Sequence, residues 1–163
     1  MVCPERPTDM GGIACCILLA GALKPSELVA AARVSVLDLF LTPQLTVLGA
    51  WLARFGQVAV GSPVRPEVRV LYCDRSPEPK KPQPVTGTLE VRIERDQNQF
   101  RGPAGAVKDG CGQYAPSTNV LIAEAARYLT CDITPMFAAH SSQQADITVG
   151  CNPDSSPAGL FLV

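Results

Sequence analysis

Apolar residues fall along this chain in short runs of two different periods, and the alternation between them predicts the fold. Ile13-Ala14-Cys15-Cys16-Ile17-Leu18-Leu19 is continuously apolar and ends at Ala20-Gly21. A strand buried on both faces of a parallel sheet has this pattern, and the glycine predicts a turn after it. After Lys24-Pro25-Ser26, residues Glu27 to Arg33 are compatible with a short helix, whereas Val34 to Leu41 shows no clear period and stays unassigned. From Thr46, the set Val47, Leu48, Trp51, Leu52 and Phe55 recurs at three- and four-residue spacing with Arg54 on the other side. That spacing predicts an amphipathic helix stopped by Gly56, with Trp51 and Phe55 as packing residues.

Val68-Arg69-Val70-Leu71-Tyr72 predicts the next strand, and Asp74 to Pro84, with Lys80 and Lys81, a polar proline-rich loop. Leu89-Glu90-Val91-Arg92-Ile93-Glu94 alternates strictly, so one face is wet and the strand belongs at or near an edge. Gln99 to Asp109 reads as a glycine-bearing loop running into a short helix with Pro103 in its first turn. Asn119-Val120-Leu121-Ile122-Ala123 predicts another buried strand. Asp132 or Thr134 is placed to cap a helix through Pro135, Met136, Phe137 and His140, in which Phe137 is a core residue and His140 a structural one. Asp146 to Gly150 is the next strand, and a turn over Asn152 to Pro157 leads to Gly159-Leu160-Phe161-Leu162-Val163, where the sequence stops in mid-strand. Strands alternating with helices predict one α/β unit over 1–163, a mostly parallel sheet between helices with ligands at the carboxyl ends of the strands. The loops after Leu19, Glu94 and Ala123 then share one rim.

Composition removes several classes of function. The chain has 163 residues, 47% hydrophobic and 18% charged, with 14 basic and 15 acidic side chains for a net charge of −1. No positive field exists to hold nucleic acid or anionic lipid. Ile13 to Leu23 is too short for a membrane span, which needs about 20 apolar residues. It has the length of a secretory core with a cleavage site at Ala20-Gly21-Ala22, but Glu5, Arg6 and Asp9 precede it in place of a clean positive charge. Seven cysteines cannot all pair within one chain, and none forms a Cys-x-x-Cys couple, so reduced thiols in the cytoplasm are expected. The even spacing of Cys111, Cys131 and Cys151 has no helical or strand period behind it and reads as coincidence.

The candidate chemistry lies on the predicted rim. Gly102-Pro103-Ala104-Gly105 would let backbone approach a planar base or a phosphate, although a tight turn explains the same residues. Lys24, beside the Ala20-Gly21-Ala22 turn, is placed to neutralise a phosphate or simply to be solvated.

Ile17-Leu18-Leu19-Ala20-Gly21, Phe100-Arg101-Gly102-Pro103-Ala104-Gly105-Ala106, and Asp132-Ile133 with Ala145-Asp146-Ile147-Thr148-Val149 together resemble sugar-phosphate nucleotidyltransferases. The resemblance runs over most of the chain and is most specific in the middle segment. It implies a Rossmann-like three-layer sandwich that joins a sugar 1-phosphate to a nucleoside triphosphate and releases pyrophosphate. It further implies that Gly102, Ala104 and Gly105 pack against the nucleotide base, that Gly21 and Lys24 lie near its phosphates, and that Mg2+ assists. The sequence departs from the family at two places. The first loop has Ala22-Leu23-Lys24 where the family carries a longer glycine-rich stretch ending in an arginine that grips triphosphate. Ala125 and Ala126 stand where the family has a Gly-Asp pair whose aspartate holds the magnesium, and Arg33 to Leu41 offers no match to the family's lysine. Glu124 is the candidate replacement for that carboxylate and Asp132 a second, against the plainer readings of a strand-end charge and a helix cap. The expected partners are a nucleoside triphosphate and a sugar phosphate, with no nucleic acid and no membrane. Three readings follow: a nucleotidyltransferase, an inactive nucleotide- or sugar-phosphate-binding relative, and a truncated product.

Overall fold

The computed structural model describes residues 13–21, 27–59, 65–82, 89–96, 102–115, 118–128 and 130–163. Six strands form one sheet in the order β5-β4-β1-β6-β8-β7, where β1 is Ile13–Leu19, β4 Glu67–Tyr72, β5 Glu90–Arg95, β6 Asn119–Glu124, β7 Thr148–Cys151 and β8 Pro157–Leu162. The three continuous apolar runs are neighbours at its centre. β1 pairs in parallel with β4 on one side, Cys16 opposite Val68, and with β6 on the other, Cys16 opposite Leu121. β4 pairs in parallel with β5, and the strictly alternating strand does lie at the edge. β8 runs antiparallel between β6 and β7, so the closing segment enters the sheet interior as one arm of a hairpin.

Helices cover both faces. Residues alternate sides along a strand, so Cys16 and Leu18 of β1 face one layer while Cys15 and Ile17 face the other. The first layer is built on α2, Val47–Ala59, whose Trp51, Leu52 and Phe55 are fully buried and pack with Leu18, Val70, Leu121 and Leu162. Met136 and Phe137 of α4, Thr134–Gln143, join the same layer. The second layer is α3, Gly102–Cys111, which sets Ala106 and Val107 against Ile17, Leu71 and Ile122. This is a Rossmann-like three-layer sandwich with a mostly parallel sheet.

Some expected boundaries move. Gly56 does not stop α2, which continues to Ala59, because the tertiary contacts of an amphipathic face outweigh the modest helix cost of one glycine. The unassigned stretch holds a 3-10 turn, Val36–Asp38, whose Leu37 N–H donates to the buried Ser35 Oγ at 3.3 Å. A two-stranded hairpin follows, β2 Phe40–Thr42 with β3 Leu45–Thr46. A six-residue helix, α1, spans Glu27–Ala32. Asp132 Oδ1 accepts from both the N–H and Oγ1 of Thr134, at 2.9 and 2.8 Å, which ties down the start of α4. His140 is buried and its Nδ1 lies 2.9 Å from Thr148 Oγ1, joining α4 to β7. Cys15, Cys16, Cys111, Cys131 and Cys151 are free thiols. No helix of the described residues is long and apolar enough to cross a membrane.

Candidate functional site

Because β1, β4, β5 and β6 are parallel, their carboxyl ends meet on one rim. The ladder reaches just past the strands: Ala20 N–H donates to Leu71 O at 2.8 Å, Asp96 N–H to Tyr72 O at 2.7 Å and Ala125 N–H to Leu19 O at 2.9 Å. From β1 the chain moves outward to β4 and β5, then returns to β6 on the other side of β1. The crevice between the ends of β1 and β6 is therefore the topological switch point at which such sheets take ligands.

Gly21 stands beside that crevice. A Cβ there would come within 3.0 Å of Cys73 N and 3.2 Å of Cys73 Cβ, so glycine lets the ends of β1 and β4 pass closely. Lys24 lies outside the described residues.

Gly102, Ala104 and Gly105 occupy the first turn of α3 and are not a loop ahead of it. The left-handed residue is Gly102, with φ +66, while Gly105 is helical. One residue further, Ala106 lines an open cleft of about 270 Å³ together with Arg69, Leu71, Glu94, Asp96 and Asp109. Arg69 dominates its floor. Its Nε and Nη2 donate to the two oxygens of Glu94 at 3.1 and 2.5 Å, and Nη1 donates to Gly110 O at 2.8 Å. The bond to Glu94 raises the guanidinium pKa still further, so its charge is permanent. α3 lies close on the sheet at this point, since a Cβ at Gly110 would meet Ile17 Cδ1 at 2.9 Å. At the mouth, Arg95 of β5 forms an ion pair with Asp74. Neither Arg69 nor Glu94 stands out in the strand patterns. The available signal was a charge embedded in Val68-Arg69-Val70-Leu71, which a central strand tolerates only with a partner.

Glu124 ends β6 on the far side of the switch point. Its Oε2 accepts from Arg127 Nε at 2.7 Å, and Arg127 Nη1 donates to Pro157 O at 2.8 Å. Gly159, φ +74, lies under the pair, and a Cβ there would fall 2.7 Å from Arg127 Cδ and 2.8 Å from Glu124 Oε2. Asp132 is engaged at the start of α4, and its bonds to Thr134 hold its pKa below the ordinary carboxylate value. Among the described residues no group of three His, Cys, Asp or Glu side chains is assembled for a metal. With one carboxylate held by an arginine and the other by a helix start, these residues do not fit a magnesium site built as the resemblance implies.

The architecture and rim define a class by fold: a Rossmann-like α/β sandwich with a mostly parallel six-stranded sheet. Among solved structures the chain is similar to HddC from Yersinia pseudotuberculosis, with 14% identity and a TM-score of 0.57 over 93% of this chain and 76% of that one. No family model matches the sequence, and no curated protein matches it.

Proposed function

We propose that this chain is a nucleotidyltransferase-like domain that takes a nucleoside triphosphate and a sugar 1-phosphate at the carboxyl rim of its sheet. The observation that carries the reading is the glycine-opened first turn of α3 set beside the Arg69–Glu94 cleft, on the β4–β5 side of the switch point. A base packs against the backbone of Gly102, Ala104 and Gly105, and its phosphates extend toward Gly21 and the end of β6. In the corresponding reaction an oxygen of the sugar phosphate bonds to the α-phosphorus as the bond to pyrophosphate breaks. The thiols of Cys15 and Cys16, free and buried in β1, support a reducing compartment, and we place the protein in the cytoplasm on that ground.

The engagement of Glu124 by Arg127 favours a second reading, a relative that keeps the nucleotide pocket and has lost the transfer step. Without a positioned divalent cation the charge developing on the transferring phosphoryl group lacks its main counterweight. Calorimetric titration with nucleoside triphosphates, followed by a pyrophosphate-release assay with sugar 1-phosphates, separates the two. Binding with release supports the enzyme, and binding without release supports the binding domain. Gly105→Val is expected to weaken nucleotide binding about tenfold, or about 1.4 kcal/mol. Failure of every nucleotide to bind the folded chain removes both readings.

A further inference from the structure

The turn after β6 reads Ala125-Ala126-Arg127, with alanine where the resemblance calls for a metal-binding aspartate. What the structure holds there is a guanidinium. Arg127 is pinned at two corners, Nε on Glu124 Oε2 and Nη1 on Pro157 O, and its side chain remains 51% exposed. An arginine has five N–H donors, and these two contacts leave Nη2 without a hydrogen-bond partner among the described residues. Two N–H donors on Nη2 and one on Nη1 therefore remain on the planar guanidinium fork to take phosphate oxygens. Gly159 keeps the β8 backbone bare beneath it, because any side chain at φ +74 would collide with both members of the pair.

The placement suits a phosphate. Ile122 packs in the α3 layer, and Glu124, two residues on, faces the same side of the sheet as Leu71 in the cleft. From β5 to β6 there are three strand spacings, or about 14 Å. A nucleotide whose base lies in the cleft thus directs an extended phosphate chain along the rim toward Arg127.

We propose that Arg127 is a fixed cationic site for the phosphate groups of a nucleotide, acting in place of a divalent metal at the end of β6. The inference rests on the nucleotide reading above. Glu124 serves as the positioning residue: it orients the guanidinium and offsets one unit of charge, so a multiply charged phosphate group is held and a single-charge anion only weakly.

The test is calorimetric titration of the full chain with ATP and GTP, with adenosine and guanosine, and with inorganic pyrophosphate, each in EDTA and in magnesium. Wild-type protein is expected to bind a triphosphate more tightly than its nucleoside, with affinity in EDTA within twofold of that in magnesium. Arg127→Gln should lower triphosphate affinity at least tenfold, to the level of the nucleoside, and leave nucleoside binding unchanged. Arg127→Lys, which keeps the charge and loses the fork, should fall between, and it carries the test if melting curves show that Arg127→Gln does not fold. Unchanged triphosphate affinity in the folded variant overturns the inference. So does a strict magnesium requirement abolished by Glu124→Gln, which would make Glu124 a metal ligand. Nucleoside binding with no gain from phosphates overturns Arg127 alone, whereas absence of all binding also removes the nucleotide reading.

Discussion

Arg69 reaches from β4 to Glu94 on β5 and holds both of its carboxylate oxygens while a third nitrogen grips the backbone of α3 at Gly110. One side chain thus fixes the edge strand and the second helical layer relative to each other, and it does so on the floor of the cleft. Arg69→Met should cost about 3 kcal/mol, because it strands Glu94 and the Gly110 carbonyl together. Glu94→Gln, which still accepts, should cost about 1 kcal/mol. Urea unfolding of the two variants checks the order, and equal costs would mean that the bond to α3 contributes nothing.

Gly159 should tolerate no side chain. Alanine there adds the left-handed cost of about 1–2 kcal/mol to displacement of the Glu124–Arg127 pair, for a total on the order of 3 kcal/mol. A melting temperature unchanged in Gly159→Ala would contradict the positive φ.

The two glycines at the start of α3 should respond in opposite ways. Gly102→Ala faces open space but a φ of +66, and is expected to destabilise by about 1 kcal/mol. Gly105→Ala lies in helical backbone and should stabilise by about 0.5–1 kcal/mol through the unfolded chain. Denaturant midpoints of the pair test where the left-handed residue sits.

Burial pushes the Cys15 thiol from 9.0 up to about 11, although a hydrogen bond with Tyr114 acts in the other direction. Tyr114 in turn donates to Glu67 Oε2 at 2.7 Å. A raised folded-state value means that the contribution is fully present below pH 9, falls as the unfolded thiol ionises first, and is lost once pH passes the folded value. Stability should therefore drop by about 2 kcal/mol between pH 9 and 11 from this group alone, and Cys15→Val should flatten the slope. Thiol titration at pH 8 should leave Cys15 unmodified in the folded protein, since the reactive species is the thiolate.

The parts of the fold that were legible are those in which burial writes itself into the residue pattern. The central trio β4-β1-β6 is apolar because both of its faces are covered, and β5 alternates because one of its faces is wet. The hairpin β2–β3 left no such mark, since Phe40 is 71% exposed and Leu41 also faces solvent. The insertion of β8 between β6 and β7 depends on non-local pairing that no local period encodes. At the rim, Gly102 to Gly105 stand out in the sequence, though as a loop ahead of a helix and not as its first turn, and Arg127 does not stand out. Its contacts come from the approach of Pro157 and Gly159, which are distant in sequence, and from Glu124 at the end of β6.

That insertion also sets an order of events on the ribosome. β7 is made before β8 yet is joined to the sheet through it, so a nascent chain that has extruded β7 alone holds a segment without its strand partner. Until Leu160 and Leu162 arrive, β6 has a bare flank and the layer beneath α2 and α4 is short of two of its contributors. Pairing of β8 with β6 supplies Leu160 and Leu162 to that layer and brings Gly159 against Arg127 at the same time. Completion of the hydrophobic interior and the close approach of Gly159 to Arg127 thereby depend on one and the same strand pairing.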